Sequence, residues 1–260
     1  MTSPEDAASP DAPETNTKSA RPWIGLWFVV LGLAVIASAA LAVVALRNRS
    51  AGSTATTQQI RVTGLPASVS TATANLMGLS PIKTAPAPNF TLTDQNGRTL
   101  SLSSLKGKAV VLEFMDPHCT DICPLVSKEF VDANRDLGAN ASKVVFVAVN
   151  VNQYYASVAN MMAFSRAHNL VSIPSWHFFT GPTATLRTVW NDYGIDVSAP
   201  NPNADIIHTS LLYFIDPQGN ERFIASPVVN HTSSGKSFLP AATLSAWGRG
   251  IAQVATATLG

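Results

Sequence analysis

The only two cysteines of this 260-residue chain, Cys119 and Cys123, lie in the stretch MDPHCTDICPL, Met115 to Leu125. A disulfide closing so short a loop would remove little entropy from the unfolded chain, so a purely structural bridge is a poor use of the pair. Three chemistries fit better. The pair can cycle between dithiol and disulfide, although cysteines that do so normally have two residues between them and here there are three. One sulfur can reduce a peroxide, but the pattern Pro-x-x-x-Thr-x-x-Cys is one residue short between Pro117 and Thr120. Or two thiolates can hold a soft ion: they suit Cu(I), and an imidazole would complete a low-coordinate site.

The flanking sequence says how such a pair is held. AVVLEF, Ala109 to Phe114, is a near-continuous apolar run of the kind found in strands buried on both faces. Beyond the cysteines, Val126, Phe130, Val131, Ala133, Asn134 and Leu137 fall on a helical period. The cysteines therefore sit where a buried strand gives way to a helix. A helix starting near Thr120 or Asp121 places the two sulfurs on one face of its first turn. Its N-terminus favours thiolates, and Pro124 is compatible with a first turn.

Five histidines are available as a further donor. His118 adjoins Cys119, but neighbouring side chains diverge, so it reads as a loop residue. His168 follows a helical stretch and reads as a cap or a solvent-facing residue. His177, in SWHFF, reads as a structural strand residue, and His231 lies in the polar loop NHTSSGK. His208 differs, because in DIIHTSLLYFID it immediately precedes a strong strand. In thioredoxin-type sheets the loop feeding that strand faces the cysteine turn and commonly carries a cis-proline. Here ADIIHTS has no proline, and His208 takes the place.

The remaining pattern supplies the scaffold. NFTLTDQNGRTLSLSSLKGK has hairpin chemistry at DQNG, and KVVFVAVNV is a second buried strand. Helices are expected over Ala156 to His168, over TATLRTVWNDYG ending at Gly194, and over PAATLSAWGRGIAQVATATL. WHFFTGP is a short strand, and TSLLYFIDPQGNERFIAS a hairpin turned at DPQGN. Strands alternating with helices, closed by a hairpin, predict an α/β fold: a three-layer sandwich around a mixed sheet over residues 89–260.

Upstream, residues 1–21 are polar and Pro/Ala/Ser-rich, which predicts a disordered tail. Residues 22–46 carry an uncharged apolar run from Trp23 to Leu46. At about 1.5 Å per residue it spans roughly 36 Å, enough for one transmembrane helix. Its length and acidic leader favour an anchor over a cleaved signal peptide, and the leader is unlike a mitochondrial presequence. Lys18 and Arg21 balance Arg47 and Arg49, so charge alone does not orient it. Residues 47–88 are Ser/Thr/Ala/Pro-rich and read as a flexible tether of roughly 35 Å reach, with a short docked element around ANLMGLSPI. A net charge of +1 and 13% charged residues leave no electrostatic footprint for nucleic acid.

Together these segments resemble the Sco/SenC family, membrane-tethered thioredoxin-fold proteins of cytochrome c oxidase assembly. The likeness runs from about Phe90 to Phe223 and rests on HCTDICP, WHFFTGP and HTSLLYFIDPQGNERF. It implies a thioredoxin-like domain that binds copper through Cys119, Cys123 and His208. It also implies a metallochaperone that serves the binuclear copper site in subunit II of the oxidase, or exchanges copper with a donor protein. A redox-active disulfide of Cys119 and Cys123 and a tethered thiol-disulfide reductase acting on the same acceptor cysteines form the alternative. A redox or copper sensor is a third reading. The resemblance implies a bacterial cell membrane location, single-pass, with the C-terminal domain extracytoplasmic. Three positions depart from the family pattern. Thr120 replaces a proline, VNVNQ replaces a strand ending in Asp-Pro, and Ile207 stands where an acidic residue usually precedes the histidine, leaving Asp205 as a substitute.

Overall fold

The computed structural model describes residues 63–260. The tail at 1–21, the anchor at 22–46 and the tether up to residue 62 lie outside the described residues. Among the described residues no helix is long and apolar enough to cross a membrane.

Helix α1 (Thr71–Met77) leads into strand β1 (Ser80–Pro86). The hairpin strands β2 (Thr91–Thr93) and β3 (Thr99–Ser101) follow. Then come β4 (Ala109–Met115), α2 (Cys123–Asp136), β5 (Val144–Asn150), α3 (Val158–Ala167), β6 (Trp176–Phe179) and α4 (Thr183–Asp192). The last third holds β7 (Val197–Ser198), β8 (Ile207–His208), β9 (Leu212–Ile215) and β10 (Asn220–Ala225). A small hairpin of β11 (Asn230–His231) and β12 (Ser237–Phe238) precedes the closing helix α5 (Ala241–Ala257).

The main sheet has six strands in the order β1-β10-β9-β4-β5-β6. β4, β5 and β6 run parallel, while β9, β10 and β1 join by antiparallel pairing. Every residue of β4 and β5 is buried, as their near-continuous apolar runs require of central strands covered on both faces. Side chains alternate along β4. Val111 and Met115 join Phe130 of α2 and Trp247 of α5 in one core layer. Val110, Leu112 and Phe114 join Trp190 of α4 and Phe90 beside the β2–β3 hairpin in the other. This is the expected three-layer, thioredoxin-like sandwich. Glu113 breaks the apolar run and, by alternation, faces the α2 layer.

Close helix packing holds α2 in place. Gly248 of α5 lies so near α2 that a Cβ there would stand 2.7 Å from the Asp132 Cβ. The turn at DPQGN closes as its sequence requires. Gly219 adopts φ +86° and donates its amide to the Asp216 carbonyl at 2.8 Å.

The folded region begins well before residue 89. Val69, Ala74, Met77 and Leu79 are buried in the α2-side core, and β1 pairs with β10 at the sheet edge. The short docked element expected around ANLMGLSPI is present as α1 and the start of β1, and it is larger than expected, so the flexible tether expected over 47–88 does not extend through 71–86. Pro81 and Pro86 gave that stretch a linker composition, but an edge strand tolerates proline because one side makes no ladder bonds.

Candidate metal and thiol centre

β4 delivers the chain into a loop organised by buried Asp116. Its Oδ1 accepts the His118 amide at 2.8 Å and Asn152 Nδ2 at 2.9 Å. Its carbonyl accepts the Cys119 amide at 3.1 Å. The helix then starts at Cys123, not at Thr120 or Asp121. Pro124 sets that start, because it has no N–H to donate backwards and so belongs in the first turn. Cys119 consequently lies just outside the helix and behaves as its cap, with Sγ accepting the Cys123 amide at 3.4 Å.

Both cysteines are free thiols, Cys119 partly exposed and Cys123 only 2% exposed. The Cys123 thiol donates to the Cys119 sulfur and lowers the Cys119 pKa to about 7, against the opposing effect of burial. The Cys123 and Asp121 amides add to the lowering, and the Asp116 charge opposes it. The same bond, burial and the charge on Cys119 push the Cys123 thiol well above its ordinary range. The pair is therefore poised to lose one proton near neutral pH, at the accessible sulfur.

His208 ends the two-residue strand β8, paired with Val197 of β7. Its Nδ1 lies 2.9 Å from the Thr209 carbonyl, which can only accept, so Nδ1 carries the proton and Nε2 keeps a lone pair. Burial lowers the His208 pKa, against the Thr209 bond and the Asp116 charge, which keeps the ring neutral and fit to ligate. His208, Cys119 and Asp116 line one cavity of about 800 Å³. Among the described residues, however, no three His, Cys, Asp or Glu side chains lie close enough together to hold a metal ion. The structure thus places the two thiols side by side and sets His208 in the wall of the cavity that Cys119 lines, without closing a ligand triad.

The other imidazoles divide. His118 stacks on Tyr155 with ring centroids 3.5 Å apart, and His168 caps α3 against Phe164. His177 sits in β6 with Nδ1 3.1 Å from the buried Asp94 carboxylate, a structural role. His231 was not legible. Its Nε2 meets Asp121 Oδ1 at 2.9 Å, and the Ser237 hydroxyl donates to the same oxygen. The β11–β12 hairpin is thereby pinned between the two cysteines. Asp205 is exposed and does not orient His208; the Thr209 carbonyl does so, and Asp116 supplies the nearby charge.

A family model described as SCO1/SenC matches residues 81–233, more than half of the chain. The chain belongs to the SCO1/SenC family. Among curated proteins this SCO1/SenC member is similar to the SCO1 protein homolog of Bacillus subtilis (strain 168), 26% identical over 132 residues. That match covers 50% of this chain and 68% of the homolog. It is also similar to the thiol-disulfide oxidoreductase ResA of the same organism, 43% identical over 77 residues, or 29% of this chain and 41% of ResA. Among solved structures it is similar to Bradyrhizobium japonicum ScoI with copper bound, at TM-score 0.52 and 26% identity. That comparison covers 67% of this chain and 100% of ScoI.

Proposed function

We propose that this SCO1/SenC member is a copper carrier that takes Cu(I) on the Cys119 and Cys123 thiolates with His208 Nε2 as third donor. One observation carries the reading: Cys119, its thiol acidified by a hydrogen bond from Cys123, lines a cavity with a neutral imidazole whose Nε2 lone pair is free. Two thiolates and an imidazole are soft and borderline donors, the set that Cu(I) prefers. The likeness to a ScoI whose structure holds copper supports the same ion. Loading displaces the thiol protons, and delivery proceeds by stepwise exchange with an acceptor's own sulfur and imidazole donors. The acceptor in this reading is the binuclear copper site of cytochrome c oxidase subunit II. The apolar run Trp23–Leu46 would anchor the chain in a bacterial membrane with the folded domain outside.

The test is copper stoichiometry on the reduced full-length chain in competition with a Cu(I) chelator. Wild type takes up one equivalent, either Cys→Ser variant loses stable loading, and His208→Ala weakens it. No uptake by wild type at substoichiometric chelator overturns the reading.

The likeness to ResA and the lowered Cys119 pKa favour one alternative, a thiol-disulfide reductase that keeps an acceptor's cysteines reduced. It needs both sulfurs but not His208. His208→Ala with full reductase activity toward the acceptor, and no copper phenotype, would select it.

A further inference from the structure

Glu113 is the only ionisable residue of β4 and is 1% exposed. Its Oε1 accepts the Ser210 hydroxyl at 2.9 Å, while Oε2 is buried with no hydrogen-bond partner among the described residues. Desolvation raises its pKa to about 8, so the carboxyl is neutral at pH 7. An apolar residue would fill this place without burying an unpaired oxygen, so packing alone does not explain the carboxyl.

Its position in the ladder does. β4 and β9 pair at Val110↔Ile215, Val111↔Phe214 and Leu112↔Tyr213, and the pairing stops there. Past that point β4 continues toward the cysteine loop, and the chain ahead of β9 leads back through Ser210 to His208. The Glu113–Ser210 bond joins the two segments immediately beyond the last backbone pair, where they begin to part around the cavity that Ser210 also lines.

We propose that Glu113 is a positioning residue for His208, holding the imidazole segment at a fixed span from the cysteine loop through the Ser210 hydroxyl. The inference rests on the reading of His208 as third copper donor. A donor segment already tied to the strand that leads into the cysteine loop loses less freedom on closing around an ion, so the tie raises affinity without touching the metal.

The test uses the reduced full-length chain in detergent, with Cu(I) measured against bicinchoninate. Ser210→Ala and Glu113→Leu each weaken Cu(I) binding by about fivefold to tenfold, the worth of one lost hydrogen bond. Glu113→Gln keeps an oxygen acceptor and recovers most of that loss. In a His208→Ala background neither substitution weakens binding further, because both act through that imidazole. Equal losses with and without His208 would mean a general structural effect and would overturn the proposal. Hydrogen exchange of the copper-free chain gives a second reading, in which Ser210→Ala speeds exchange of the 207–211 amides. Unchanged exchange there overturns the positioning role even where copper binding stands. Absence of Cu(I) uptake by wild type instead overturns the carrier reading, and this inference with it.

Discussion

Glu129 offers a sharp test of how the core beneath the cysteines is built. It lies on α2, is 1% exposed, and has Oε2 unpartnered among the described residues. Desolvation first, then the charges of Glu113 and Asp132, raise its pKa from 4.5 to about 9. Below the unfolded value both states are protonated and the group costs nothing by linkage. As pH rises above it, the unfolded chain releases the proton while the folded chain keeps it, so stability falls with pH until the folded pKa is reached. At pH 7 the accumulated loss is roughly 3 kcal/mol. Glu129→Gln removes the titration but leaves a buried polar group whose imperfect pairing takes back about 1 kcal/mol. The expected net gain is therefore about 2 kcal/mol at pH 7, vanishing or reversing near the unfolded pKa. Buried Trp176, Trp190 and Trp247 make urea unfolding readable by fluorescence across that range. A wild-type to Glu129→Gln difference that does not grow with pH refutes the assignment of a neutral carboxyl.

The sulfur pair makes a second prediction. Alkylation of the reduced native chain occurs at Cys119 with a midpoint near pH 7, while Cys123 reacts only after unfolding. Cys123→Ala removes the bond to Cys119 and moves that midpoint upward, so a wild-type midpoint near an ordinary thiol value would refute the arrangement. At Gly248, substitution by Ala gains helix propensity but drives a Cβ to 2.7 Å from the Asp132 Cβ. Overpacking costs about 1–3 kcal/mol and should lower the melting temperature; a stabilised Gly248→Ala would refute the close approach of α5 to α2. Asp121→Ala releases the β11–β12 hairpin from the cysteine loop. Exchange at 230–238 should rise while global stability changes by less than about 1 kcal/mol, as for an exposed contact. Unchanged exchange would show that the hairpin is held by something else.

The scaffold was legible where one physical requirement dominates. A strand buried on both faces must be apolar throughout, and Ala109–Met115 and Val144–Asn150 announced themselves that way. Turns at Asp94–Gly97 and Asp216–Gly219 were legible because a positive φ calls for glycine. The start of α2 was read three residues or so too early, since hydrophobic period fixes a helix's face but not its first turn. Pro124 carries that information, because a residue without an N–H belongs in the first turn. The strand at Ser80–Pro86 reaches beyond the docked element expected around ANLMGLSPI, because an edge strand with one exposed side need not differ in composition from a linker. Glu113, Ser210, Asp121 and His231 could not be read at all. Their contacts join residues about 97 and 110 positions apart, and no local period encodes them.

That division bears on how a carrier site could work. Local elements fix the sulfur pair: β4 aims the loop, Pro124 sets the helix start, and Cys119 Sγ accepts the Cys123 amide. The parts that were not legible govern the approach to it, through Thr209 on the His208 ring, Glu113 on Ser210, and His231 on Asp121. A site with all donors closed in advance would bind tightly and release slowly, because most affinity differences appear in the off-rate. In the proposed site, two neighbouring sulfur donors with a third held on a separate segment would separate capture from retention. On this argument, loosening that segment in Ser210→Ala should speed Cu(I) release to a competing chelator more than it slows uptake. Stopped-flow transfer in both directions measures that asymmetry. An equal effect on the two rates would mean that the imidazole joins at the same step as the sulfurs.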